Sequence, residues 1–170
     1  YLIEAIGIIT QKTGKNIQAI LIGDYVPGYE WQKETITALI KKYRLEDRIH
    51  FLGHVSDALP YYNLFDVFVL PSAEPEPFGG VIMEAMSLAL PVIGSNAGGT
   101  TEQIADGQNG YLFENKDSED LADKIGLFLN DPSSIKTFGI CSKERVEKYF
   151  SLDLHEENII RLYTNILDEK

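Results

Sequence analysis

Two glutamates, Glu76 and Glu84, stand with seven residues between them, and that interval contains the pair Gly79-Gly80. A carboxylate accepts hydrogen bonds from vicinal hydroxyls, as an acidic residue does toward a ribose in dinucleotide-binding folds. Glycines at the opening of a helix let a ligand approach the backbone and permit unusual dihedrals. The N–H groups of a first helical turn lack partners inside the helix, and the macrodipole makes that end positive. Together these residues read as a cradle for a diphosphate, with one carboxylate for a sugar and the other for a ribose. Plainer readings stand beside this one. The glycines also suit a bare strand-to-helix turn, and Glu84 also suits a solvent-facing residue that complements the helix dipole.

The elements needed to position this cluster are legible around it. Residues 66–70, centred on Val67-Phe68-Val69-Leu70, read as a buried strand of a parallel sheet. Pro71, Pro75 and Pro77 keep 71–78 out of regular helix, and a helix is expected over 80–88. Upstream, an amphipathic helix over 1–13 ends at Gly14, a residue suited to a helix C-terminus. A strand over 17–22, a turn over 23–28, a helix over 30–44, a strand over 49–52 and helical turns within 57–64 follow. Downstream, a strand at 91–94, a turn at 97–99, a short helix at 101–105 and a strand at 111–113 precede helices over 118–129, 133–149 and 152–167. Ser118, Asp131 and Ser151 are expected as caps. Strands alternating with helices predict an α/β fold, a Rossmann-like open parallel sheet with helices on both faces. Ligands in such sheets sit beyond the carboxyl ends of the strands, so chemistry is expected in loops 53–55, 71–80 and 95–100.

Bulk properties narrow the partners. The 170 residues suit one domain, and 44% hydrophobic content supports a core. A net charge of −11 repels nucleic acid and anionic lipid. An anionic ligand must therefore be held by backbone N–H groups or by cations from outside these residues. No run approaches the roughly 20 apolar residues that span a bilayer. The single Cys141 and the lack of an Asn-x-Ser/Thr sequon fit the cytoplasm. Tyr1 opens the chain inside a helical pattern, as expected of a partial chain.

The run Glu76-Pro-Phe-Gly-Gly-Val-Ile-Met-Glu84-Ala-Met-Ser-Leu-Ala-Leu-Pro91-Val-Ile-Gly-Ser resembles the E-x7-E signature of the group 1 (family 4) glycosyltransferases. The resemblance extends through Phe51-Leu52-Gly53-His54-Val55, Asp66-Val-Phe-Val-Leu-Pro71-Ser72, Gly98-Gly99-Thr-Thr-Glu102 and Asp106-Gly107-Gln-Asn-Gly110-Tyr-Leu-Phe. It covers most of residues 1–130 in the family's order. It implies the C-terminal, donor-binding half of a retaining GT-B enzyme over 1–170, with the first strand missing and the N-terminal acceptor domain absent. The activity implied is transfer of a sugar from a nucleoside-diphosphate donor to a carbohydrate or lipid-linked acceptor, in the service of polysaccharide biosynthesis. The segment by itself is expected to be inactive. Rival readings are a nucleotide-sugar epimerase-like isomerase domain and a non-catalytic nucleotide-binding α/β domain.

The resemblance also assigns roles. It implies that Glu76, as the catalytic residue, holds the donor sugar together with Phe78, Gly79 and Gly80. Backbone amides of Gly80 and Val81 hold the diphosphate, Glu84 binds the ribose hydroxyls, and His54 and Val55 lie beside the base. The family's phosphate-neutralising Arg and Lys precede the first helix and fall before Tyr1. The loop after Pro71-Ser72 is one residue longer than the commonest form, which makes Glu74 a decoy for the motif. No Asp-x-Asp motif and no histidine pair at metal-ligand spacing occurs, so no metal cofactor is expected. Partners are then the nucleotide sugar, the chain's own N-terminal domain and the acceptor, with no nucleic acid. The location implied is cytoplasmic, or peripheral at the inner membrane face through the missing domain. His50 reads as structural, His155 as part of a polar helix and Cys141 as a small core residue. The pairs Tyr149-Phe150 and Leu162-Tyr163 read as packing residues, and the apolar face near Leu162 and Ile166 as an interdomain surface.

Overall fold

The structure is a computed structural model and describes residues 1–24, 28 and 31–168. The middle of the turn expected over 23–28 and the helix start expected at Glu30 lie outside the described residues. The elements run α1 (Leu2–Thr13), β1 (Ala19–Ile22), α2 (Trp31–Tyr43), β2 (Ile49–Gly53), α3 (Leu59–Tyr62), β3 (Phe68–Leu70), α4 (Gly80–Ser87), β4 (Val92–Ser95), α5 (Thr100–Gln103), β5 (Gly110–Phe113), α6 (Ser118–Asn130), α7 (Ser133–Tyr149) and α8 (Leu152–Asp168). This is the expected α/β alternation. Among the described residues all the strand pairings are parallel, in two ladders: β1 beside β2, and β3-β4-β5 in that order, with no ladder joining the two.

Side-chain packing joins them instead. Helix α1 carries two apolar faces. Ala5 and Ile9 pack with Ile93, Phe113, Leu121 and Phe128 over the second sheet, whereas Ile3 and Ile6 pack with Leu45 and Ile49 over the first. Leu2 and Ile17 touch both clusters. Helix α4 is fixed by Ile82, Ala85 and Met86, all with 0% exposure, against Val92, Ile104 and Tyr62. Burying a side chain of this size stabilises by about 1.5–3 kcal/mol, so α4 is anchored along its inner face and its N-terminus opens toward the loops.

Several local expectations change. Asp117, not Ser118, caps α6: its carboxylate accepts from the amides of Glu119 at 2.9 Å and Asp120 at 3.0 Å. Ser118 is drawn into the interior, where its hydroxyl donates to Glu4 of α1 at 3.0 Å. Asp131 closes α6 at its C-terminus, and its carboxylate accepts from Ser133 as α7 begins. Ser151 does cap α8, accepting from Leu154 N at 3.3 Å. Cys141 is half-buried on α7 rather than in the core. The pair Leu162-Tyr163 does not pack, with exposures of 58% and 65%, because none of the described residues of α8 is buried. No helix among the described residues is long and apolar enough to cross a membrane.

Candidate functional site

Strand β3 delivers the chain into the loop 71–79, and four hydrogen bonds fix that loop before α4 begins. Asn115 Nδ2 donates to the Ala73 carbonyl at 3.0 Å, and Lys116 Nζ pairs with Glu74 Oε1 at 3.1 Å. Gly99 N donates to the Glu76 carbonyl at 2.8 Å. Ser72 Oγ donates to Glu76 Oε1 at 2.8 Å, so the carboxylate itself is held by a residue near the start of its own loop. Glu74, 85% exposed at its side chain, points away into its ion pair.

Gly79 is the N-cap of α4, and no side chain caps the helix start. Gln103, fully buried, donates from Nε2 to the Gly79 carbonyl at 3.1 Å. Arg145 in turn donates to the main-chain carbonyls of Gln103 and Glu102, each at 2.8 Å. A β-carbon on Gly79 would crowd Leu70, Ile82 and Gln103, whereas one on Gly80 would meet nothing within 4 Å. The helix start is therefore closed beneath and open above. The cations tied to this neighbourhood, Lys116 and Arg145, are committed to Glu74 and to the end of α5. What faces the opening is the positive end of α4, with the first-turn amides of Gly80 and Val81. Phe78 is 51% exposed and leans on Phe150, their ring centroids 5.9 Å apart.

Glu84 lies one turn into α4 on the exposed side. Its Oε2 accepts the hydroxyl of Tyr62 at 2.9 Å. Tyr62 is 3% exposed, and burial first, then the hydrogen bond and the charge of Glu84, push its phenol well above the ordinary tyrosine range. On the first sheet, β2 ends at Gly53 with φ +68, a left-handed turn that aims His54 and Val55 away from the strand. His54 is exposed and Val55 half-buried. The structure thus brings Glu76, Phe78, Gly79, Gly80, Val81 and Glu84 to one loop–helix junction. It records no hydrogen bond from His54 or Val55 to the others among the described residues, and the segment carrying them runs on into α3 and Tyr62. His50 is exposed, with Nε2 at 2.8 Å from Gln18 Oε1. His155 lies exposed on α8.

Sequence reasoning assigned no role to Tyr62, Gln103, Asn115 or Arg145. Ser72 was legible only as part of a quoted run. These residues act through partners on other elements, and neither period nor local motif marks them.

The comparisons with known proteins decide the family. Residues 1–145 match the family model described as glycosyl transferases group 1. The chain belongs to that family. The isomerase reading falls with this match. The chain is 32% identical over 168 residues to the capsular polysaccharide biosynthesis glycosyltransferase CapM of Staphylococcus aureus, covering 99% of this chain and 43% of that protein. Against the N-acetyl-alpha-D-glucosaminyl L-malate synthase of Bacillus anthracis it is 34% identical, covering 94% of this chain and 38% of that protein. Among solved structures, Anabaena Alr3699/HepE in complex with UDP superposes with a TM-score of 0.88 at 29% identity, over 96% of this chain and 44% of that one. The C-terminal domain of a group 1 family protein (LpcC) from Francisella tularensis superposes at 0.79 and 29% identity, over 88% of this chain and 77% of that one. The fold is that of the GT-B glycosyltransferases, and the chain spans less than half the length of the full relatives it matches.

Proposed function

We propose that this chain is the donor-binding domain of a retaining glycosyltransferase. It holds a nucleoside-diphosphate sugar for transfer to a carbohydrate or lipid-linked acceptor presented by a separate N-terminal domain. The observation that carries the reading is the flanking of one uncapped helix start by two oriented carboxylates. Glu76 is held by Ser72 before the helix and Glu84 by Tyr62 within it. The diphosphate lies over Gly80 and Val81, where the amides and the helix dipole meet negative charge with no capping side chain to displace. Glu76 and the backbone at Phe78-Gly79-Gly80 address the sugar, Glu84 the ribose, and His54 and Val55 the base.

The leaving diphosphate is stabilised electrostatically as the anomeric bond breaks. The acidic chain cannot complete that stabilisation alone, so further positive charge comes from outside these residues. The solved HepE complexes with UDP and with UDP-glucose favour a nucleotide-sugar ligand for the shared fold. No bound metal is called for in this arrangement. A thermal-shift panel of nucleotide sugars on the full-length protein tests the reading, because a ligand raises stability as RT ln(1 + [L]/Kd). A shift with one nucleotide family supports it, and a flat response to every donor from a well-folded protein would return the chain to a non-catalytic role.

A further inference from the structure

Glu84 sits on the exposed face of α4, where an ordinary glutamate samples several rotamers and must surrender that freedom when a ligand binds. Here one carboxylate oxygen is already taken. The Tyr62 hydroxyl donates to Oε2 at 2.9 Å, while its other neighbouring acceptor, the Val81 carbonyl, is farther away at 3.4 Å. The phenol cannot wander. Its ring is 3% exposed, edge-on to Phe65 with centroids 5.7 Å apart and tilted over Phe68 at 5.5 Å.

A hydrogen bond to an ionised acceptor is about twice as strong as one between neutral groups, so the carboxylate is the preferred partner of this phenol. Burial and the nearby carboxylate both keep the phenol protonated, and hence a donor, across the physiological range. An ionised carboxylate offers about four lone-pair positions on two oxygens. One of them being occupied, Oε1 and the remainder of Oε2 are left for a vicinal diol.

We infer that Tyr62 is the positioning residue for Glu84, holding its carboxylate in the orientation that receives the two ribose hydroxyls of the donor nucleotide. The inference rests on the ribose role proposed above for Glu84 and adds the residue that makes that role geometrically specific. It also links two parts of the site. Tyr62 closes α3, whose start is held by Asp57 Oδ1 accepting from Leu59 N at 3.1 Å. That helix directly continues the segment bearing His54 and Val55. The strand of chain beside the base is thereby the one that sets the ribose contact.

The test is calorimetric titration of the full-length protein with UDP, GDP and ADP, and then with the 2′,3′-dideoxy form of the tightest binder. Tyr62→Phe keeps the ring and its packing, and an unchanged far-UV spectrum with a cooperative melt verifies that. The expected result is ribonucleotide binding weakened about tenfold in Tyr62→Phe, with dideoxynucleotide binding unchanged. Added to Glu84→Ala, the same substitution should cost nothing further. Equal weakening of both nucleotides would make Tyr62 a packing residue and overturn the inference. Wild-type affinity in Tyr62→Phe, with Glu84→Ala impaired, would overturn it while leaving the ribose role of Glu84 intact. Unchanged affinity in Glu84→Ala, or no binding of any of the three nucleotides, would overturn both.

Discussion

Glu76 and Gly98 form an isolated parallel bridge so close that a β-carbon on Gly98 would run into the Glu76 carbonyl oxygen. Gly98 has φ +60, and its neighbour Gly99 donates to that same carbonyl at 2.8 Å. The loop that carries the first glutamate is therefore moulded on the turn after β4. Gly98→Ala should strain the left-handed position by about 1–3 kcal/mol and push the loop outward. A lowered melting temperature together with weakened donor binding is expected. Wild-type values in both measurements would mean that the bridge does not position Glu76.

Glu76 is expected to act on the sugar rather than on the nucleotide. In the full-length protein, Glu76→Ala should lower kcat/KM on the order of 10²-fold, in the range of losing one electrostatic contact at a reacting centre. Affinity for the free nucleotide should stay near wild type. Equal loss of both would show that the substitution had collapsed the loop hung on Ser72 and Gly99.

Glu84→Ala should weaken nucleoside-diphosphate binding by roughly 1.5–3 kcal/mol, the range for hydrogen bonds to a charged group. Isothermal calorimetry reads this directly. Unchanged affinity would return Glu84 to a helix-surface role.

Alkaline stability offers an independent reading of the Tyr62–Glu84 pair. A tyrosine phenol ordinarily ionises at 10.0, and Tyr62 is raised above that value. Above pH 10 the unfolded chain releases a proton that the folded protein still holds. The stabilisation is therefore complete below that pH and is lost as the pH rises toward the folded-state value. Thermal melts taken through this range should fall steeply for the wild type and less steeply for Tyr62→Phe. Parallel slopes would show that the phenol titrates normally.

The 170 residues should melt cooperatively alone, since three hydrophobic clusters form among the described residues. They should not transfer sugar. Holding donor and acceptor in near-attack geometry contributes about 7–11 kcal/mol to lowering a barrier, and the site proposed here addresses only the donor. Donor-turnover assays of the segment beside the full-length protein check this, and comparable rates would move the active site elsewhere.

Much of the fold was legible because its signals are local. The run Val67–Leu70 and the glycine pair at the start of α4 announce a strand and a helix start by composition alone. The errors lie where tertiary contacts decide. Asp117 and Ser118 are adjacent and both able to cap, and the choice falls to Asp117 because Glu4, on a distant helix, claims the serine hydroxyl. Leu162-Tyr163 read as packing residues because apolar residues at helical spacing look alike whether or not a partner covers them. At the site, the glutamates and glycines were visible in one short run. Tyr62, which orients Glu84, lies 22 residues away on another element, and no sequence period connects them.

The packing across the two ladders has a mechanical consequence. The residues assigned to the base end the first sheet, while those assigned to phosphate, sugar and ribose begin beyond the second. Helix α1 packs on both sheets, with Leu2 and Ile17 shared between the two clusters, and Tyr62 is at once a member of the cluster beneath α4 and the donor to Glu84. The stiffness of the proposed ribose contact is thus inherited from the core, and a cavity opened there would reach the ligand as lost affinity before it unfolded the chain.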